Sequence, residues 1–295
     1  MRWTIGDTTL TALVEAETAG IPAQLFFPNA TIDDIAGVDW LGDIPGAAAA
    51  DGTIAFRVQA FVIEAGGRTV LVDPCVGNGK QRSMPFWNEL DTPWLDRFHA
   101  AGFRESAIDM VVHTHLHEDH IGWDTQLADG VWTPTFTNAR HIYVDAEHDW
   151  ASHRSEPGQN PYGDSVAPIF AAGLADVVTA DAELLPGLRL QSTPGHTPGH
   201  ASLIVTTGAE NLVVSGDLLH HPLQFANSGI DEVGDVNTAQ ARVTRAACFD
   251  HWAHEGCVVA GTHFPVAPLG RVEATATAWR FRPTAANASR HPLPN

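Results

Sequence analysis

The sequence predicts an α/β fold, and three observations carry that reading. Apolar runs of strand length recur along the whole chain. Segments rich in helix formers lie between them, which is the pattern of a layered α/β protein. Length and composition agree: 295 residues, 44% apolar and 17% charged, suit a sizeable core in one long domain. No linker, internal repeat or low-complexity tract breaks the pattern, so a single domain over residues 1–295 is expected.

The elements follow in chain order. The opening "MRWTIGDTTLTALVEAE" has no basic region followed by an apolar core, so it does not read as a signal peptide. From Thr18 to Gly52 the periodicity is weak and Gly, Ala and Pro are frequent; this reads as a strap or loop insertion, often functional in a compact domain. "FRVQAFVIEAGGRTVLVD" (56–73) reads as two strands turning at Gly66-Gly67. "TPWLDRFHAAGF" (92–103) reads as a helix with a Thr cap and a first-turn Pro. Buried strands are expected over 108–115, 139–145, 188–194, 201–207, 211–217 and 257–263. "NTAQARVTRAACFDHWAHEG" (237–256) reads as a helix ending at Gly256, and 270–283 as a closing strand.

Charge and cysteine usage narrow the function classes. The formal net charge is −19. Such a surface repels phosphate backbones and anionic membranes, so neither a nucleic acid nor a membrane is an expected partner. Cys75, Cys248 and Cys257 lie far apart with no CxxC spacing and read as buried free thiols. No apolar run reaches membrane-span length, and a cytoplasmic location is the expectation.

One stretch points to chemistry. "HLHEDH" (115–120) packs three histidines and two acids into six positions at a strand end. His115 and His117, two apart in extended backbone, face the same side and can share a metal. Asp119 and His120 follow a change of direction. The four can converge on two neighbouring points but seldom on one. A catalytic zinc takes three protein ligands and keeps one position open, so two ions need about six ligands. His196 in "STPGHTPGHASL", Asp217 in "VVSGDLLHH" and His263 in "VVAGTHFP" also sit after strands or small residues and are the candidates.

HLHEDH followed in this order by TPGHTPGH, SGD and GTH resembles the metallo-β-lactamase superfamily. The resemblance runs from "VLVDP" to His263. It implies a four-layer αββα sandwich with two divalent metal ions at one edge, Zn2+ first, with Mn, Co or Fe as alternatives. It implies that His115, His117 and His196 hold the first metal, that Asp119, His120 and His263 hold the second, and that Asp217 bridges them. Asp73 matches an acid that supports the site from behind. The set has no Cys ligand, which departs from the antibiotic-degrading β-lactamases. Asp119 and Asp217 are the expected catalytic residues, one handling the proton of the nucleophile and the other setting the metal spacing.

The resemblance implies hydrolysis by a metal-bridging hydroxide. No added RNA-binding module, flavodoxin domain or helical C-terminal domain is expected from these residues, since the stretch after His263 reads mostly as strand and tail. That leaves the single-domain branch of lactonases, esterases and organophosphate hydrolases, in which "FHAAGFRESAIDMVVHTHLHEDHIGW" and "GDLLHHPLQF" most resemble quorum-quenching lactonases and methyl parathion hydrolase. A lactone or related ester with an apolar acyl or aryl group is the expected substrate. A phosphotriester, another ester, or a mononuclear-iron persulfide dioxygenase-like oxidation are the alternatives. Phe26, Phe27, Trp87, Trp94, Trp123, Tyr162, His221 and Phe225 are candidate pocket residues. Tyr162 is the tyrosine to test as a proton donor. Glu118 reads as an outward-facing spacer, His200 as structural, and His220 and His221 as packing unless one lines the pocket. Residues 18–52 and the Trp87–Trp94 segment are expected to cover the metal edge or to pair two subunits as a homodimer.

Overall fold

The computed structural model describes residues 1–44, 46–48, 51–154, 160–208 and 210–287. The chain forms two compact units. The first holds Met1–Ala16, Val58–Thr179 and the C-terminal residues from Ala286, and the second holds Glu17–Arg57 and Ala180–Ala285.

The strands of the first sheet are β1 (Arg2–Ile5), β2 (Thr8–Pro22), β3 (Thr53–Ala65), β4 (Arg68–Val72) and β5 (Met110–Val112). A separate hairpin, β6 (Thr125–Ala128) and β7 (Val131–Pro134), precedes the sheet's last two strands, β8 (Arg140–Val144) and β9 (Ala175–Val178). The strand order is β1-β2-β3-β4-β5-β8-β9. Strands β4, β5, β8 and β9 run parallel. Their inner residues, Val70 to Val72, Val111, Val112 and Ile142 to Val144, are buried, as both-face coverage demands of a parallel sheet.

The second sheet runs in sequence order: β10 (Glu183–Leu185), β11 (Leu188–Ser192), β12 (Ala201–Thr206), β13 (Asn211–Val214), β14 (Val258–Ala260), β15 (Leu269–Ala274) and β16 (Trp279–Pro283). Only β13 and β14 pair in parallel, because the helical connection from 238 to 255 returns the chain in the same direction. The helices are α1 (Ile32–Ala36), α2 (Trp94–Ala100), α3 (Asp145–Ser152), α4 (Ala167–Ala171), α5 (Leu223–Ala226) and α6 (Thr238–Glu255). Asn237 caps α6 by accepting from the Gln240 amide, and Gly256 ends it in the left-handed conformation, as expected. Among the described residues no helix is long and apolar enough to cross a membrane.

Four expectations are corrected. The opening residues form the hairpin β1–β2, and β2 runs on to Pro22 inside the stretch read as a loop. Residues 17–20 are exposed, so no burial alternation marks that part of the strand. The same stretch carries α1, closed by a capping box between Thr31 and Asp34. Thr92 does not cap α2: its hydroxyl donates to Glu15 and Asn78, and Pro93 takes the cap position. Residues 270–283 are a hairpin, reversed where the Thr275 amide donates to the Ala278 carbonyl.

Candidate metal centre

In the first unit the carboxyl ends of parallel strands deliver the functional side chains, the usual place for a site in an α/β sheet. Asp73 follows β4, and the chain leaving β5 runs through His113 to His117. The Asp73 carboxylate accepts from the Thr114 amide at 2.8 Å and the Thr114 hydroxyl at 2.7 Å. Its Oδ2 also lies 3.1 Å from His120 Nδ1. One buried acid therefore ties the end of β5 to His120 and orients that ring. The backbone alternates as the spacing predicts. Leu116 turns into an apolar cluster with Ile121, Tyr143 and Val166. The His115 and His117 rings lie against each other at 4.7 Å, and His115 lies 4.1 Å from the His120 ring. The Leu116 amide is held by Glu147 of α3 at 3.0 Å. Asp119 Oδ2 is 3.5 Å from His120 Nε2.

Glu118 is not the expected spacer. Its carboxylate accepts from the Ser83 amide and hydroxyl and anchors the 80–92 loop. A second buried group lies behind the motif. Asp124 lies 2.8 Å from His113 Nε2 and accepts from His141 Nδ1 and the Tyr143 hydroxyl, each at 3.2 Å. Burial alone would raise the Asp124 pKa, but His113 and His141 beside it outweigh burial and hold it at about 2. Glu15, also buried, accepts from the Val76 amide at 2.7 Å and Trp123 Nε1 at 2.6 Å, pinning the loop after Asp73. Burial raises the Glu15 pKa against those bonds.

The second unit assembles its own cluster from distant sequence. Asp217 follows β13. Three imidazoles converge on its carboxylate: His220 Nε2 at 3.0 Å, His263 Nε2 at 3.1 Å and His196 Nε2 at 3.4 Å. All four side chains are buried. Local constraints aim them. His263 Nδ1 bonds the Arg57 carbonyl at 2.6 Å, and its ring stacks on Phe56 at 4.2 Å. His196 Nδ1 bonds Asp235 at 3.1 Å. Both contacts favour a proton on Nδ1, which leaves Nε2, the nitrogen turned toward Asp217, available as a ligand atom. His200 is structural, accepting from the Asp217 amide at 2.9 Å. Nitrogen and carboxylate donors without a thiolate fit a divalent ion such as Zn2+.

His220 is the group the sequence reading undervalued; the neighbouring His221 was chosen for the pocket instead. Burial disfavours the His220 cation, yet the carboxylates of Asp217 and Glu232 raise its pKa to about 9. A divalent ion on Asp217 would reverse that balance. His221 is a buried tether between the Ala47 carbonyl and the Leu223 amide, and burial pulls its pKa down to about 4. The i+3 spacing of His220 from Asp217 was the available signal.

The candidate pocket residues divide. Trp94 and Trp123 stack on each other at 5.4 Å in the core of the first unit, their indole N–H groups donating to Leu13 and Glu15. Phe225 packs among Phe249, Phe264 and Phe281 in the core of the second. Phe26 stacks on Phe56, and Phe27 is fully buried beside His221. Trp87 sits edge-on to the half-exposed Phe86. The Tyr162 hydroxyl bonds His148 Nε2 at 2.9 Å. A cavity of about 360 Å³ in the first unit is lined by Gln81, Glu89, Trp132, Asn160 and Asp164, among others, and by none of these candidates.

With two seven-stranded sheets, helices and these His and Asp clusters, the class is defined. Residues 53–263 match the metallo-beta-lactamase superfamily, and the chain belongs to it. It is similar to the N-acyl homoserine lactonase of Bacillus cereus, 29% identical over 113 residues. That match covers 38% of this chain and 39% of the relative, so it spans well under half of either protein. The N-acyl homoserine lactonase of Bacillus thuringiensis is 30% identical over 36% of each chain. Among solved structures, the hydrolase AbOPH superposes with a TM-score of 0.77 at 23% identity over 97% of this chain and 98% of its own. AidC, a dizinc quorum-quenching lactonase solved with a product, gives 0.76 at 20% identity over 97% of each. At these identities the likeness shows the fold: this chain has the metallo-β-lactamase fold.

Proposed function

We propose that the protein is a dinuclear metal-dependent hydrolase of lactones or related esters. The observation that carries this reading is the convergence of three imidazole Nε2 atoms within 3.4 Å of the buried Asp217 carboxylate. The family's motif order supports His115, His117 and His196 as ligands of one ion, Asp119, His120 and His263 as ligands of the other, and Asp217 as the bridge. It also supports one metallo-β-lactamase domain built from both units, since the family match includes parts of each. Two divalent ions, Zn2+ first, would activate water and polarise the ester carbonyl.

The chain's own residues then do the rest. Asp217 sets the separation of the ligand groups, and its amide is fixed by His200. Asp119 has a carboxylate 3.5 Å from His120 and takes the proton of the attacking water. Asp73 and Asp235 hold His120 and His196 in orientation. Trp87 and Tyr162 of the first unit remain the proposed contacts for an apolar acyl or aryl group, whereas Phe27 is fully buried. The relatives' names support an acyl substrate: two are N-acyl homoserine lactonases, and one solved neighbour holds a product at its metals' centre.

Metal analysis with a substrate panel tests the reading. The expected result is two zinc-type ions per chain and turnover of acyl-homoserine lactones or aryl esters, lost on chelation. A single iron with oxygen consumption would overturn it. Faster turnover of phosphotriesters than of any ester would replace the substrate class.

A further inference from the structure

The metal-ligand motif that holds His196 is seated on α6 by contacts outside any motif. Gly195 has φ +141°, and a Cβ there would lie 2.4 Å from the Ala241 backbone, so the loop touches the helix. Three hydrogen bonds fasten the loop. The Thr244 hydroxyl donates to the Pro194 carbonyl at 2.7 Å. The Asn237 amide donates to Gly195 and the Val236 amide to His196, both at 2.9 Å. The backbone of His196 is thereby fixed, but its ring can still rotate about χ2. A hydrogen-bond partner for Nδ1 favours the orientation in which Nε2 faces Asp217.

Asp235 is that partner, with Oδ1 at 3.1 Å, while Glu232 stands further away at 3.7 Å. Asp235 is itself held. Its Oδ2 accepts from Arg245 Nη2 at 3.3 Å and from the Glu232 amide at 3.2 Å. Arg245 is fully buried on α6 and cannot swing away. Its Nε donates to Leu218 at 2.9 Å, and its Nη1 to Ser228 at 2.9 Å and Ile230 at 2.7 Å. One guanidinium therefore joins the loop after Asp217 to the acid behind His196. Its planar fork serves several acceptors at once, which an ammonium cannot do.

We propose that Asp235, locked by Arg245, is the positioning residue that sets the metal affinity of His196 by holding its proton on Nδ1. This rests on the metal-binding reading of His196 above. The carboxylate keeps the ring orientation and makes Nε2 more basic, the arrangement that tunes metal-bound histidines in general.

The test is Zn2+ affinity, measured on the full chain by competition with a chromophoric chelator, alongside the melting temperature of the metal-free protein. Asp235→Asn is expected to weaken Zn2+ binding about ten- to hundredfold at a temperature where the metal-free variant is fully folded, its melting temperature being lowered by loss of the counter-charge of buried Arg245. Val243→Ala, at an exposed position on the same helix, is expected to leave affinity within about threefold. Wild-type affinity in folded Asp235→Asn would overturn the proposal, as would a fall in metal-free melting temperature with unchanged affinity. A wild-type protein that binds no Zn2+ would overturn the metal reading as well, so the two failures are distinguishable. Should Asp235→Asn not fold, ¹⁵N spectra of the histidine rings in Zn2+-loaded wild type decide. A proton on His196 Nδ1 is required, and a proton on Nε2 would reject the proposal.

Discussion

The two units reach their His and Asp clusters by opposite routes. In the first, His115, His117, Asp119 and His120 come from one stretch of six residues at the end of β5. In the second, His196, Asp217 and His263 come from three separate strand exits and are aimed by Asp235, Arg245 and the Arg57 carbonyl. A contiguous motif needs only its backbone to be right. A dispersed cluster needs a supporting frame, and its geometry is no better than that frame. The first unit has a support of another kind, the buried Asp124 group, whose charge must be matched for the unit to fold.

The comparison can be broken most sharply at the ligands. Chelation, or Asp217→Ala in the second unit, is expected to remove most of the metal and the activity. In the first unit Asp119→Asn is expected to lower kcat at least about a hundredfold, roughly 2.7 kcal/mol in barrier. Steady-state kinetics with metal content measured on the same samples would show it, and wild-type rate with full metal would refute the role of Asp119.

The next effect is on stability. Asp124→Asn leaves His113 and His141 without their counter-charge and is expected to cost about 3–5 kcal/mol in denaturant melts. The pH dependence has a definite sign. Asp124 is held at about 2 in the fold against an ordinary 3.8, so its contribution is present above pH 3.8. It is lost as pH falls through about 2. Acid melts of wild type and Asp124→Asn should therefore converge toward low pH, and parallel curves would contradict this.

Smaller effects separate frame from motif. Gly195→Ala puts a Cβ against α6 at a positive φ and is expected to cost about 1–3 kcal/mol. It should loosen the ion proposed for His196 more than the ion proposed for His263. Glu118→Gln removes charge from a partly exposed loop anchor in the first unit, and less than about 1 kcal/mol is expected. A large loss of metal from Glu118→Gln would show that the loop anchor matters more than its exposure suggests.

Parts of this were legible in the residues and parts were not. Most of the longer strands, the long helix and its end at Gly256 follow from periodicity and local backbone preference, which short stretches carry by themselves. HLHEDH was legible for the same reason: two-residue spacing in extended backbone puts His115 and His117 on one side. The β1–β2 hairpin was missed although Gly6 and Asp7 stand between its strands. The pocket aromatics were ambiguous because a tryptophan in a core and one on a pocket wall have the same composition, and Trp94 and Trp123 proved to be core.

What the sequence by itself determined was the order and local direction of the residues proposed as metal ligands, because those depend on neighbours within a few positions. What only the tertiary structure decided was their support. Asp235 lies 39 positions from His196, Arg57 lies 206 from His263, and Asp73 lies 41 from Thr114. A hydrogen bond between residues that far apart leaves no periodic trace in the chain. It exists only once the strands and α6 have folded and brought donor and acceptor within about 3 Å.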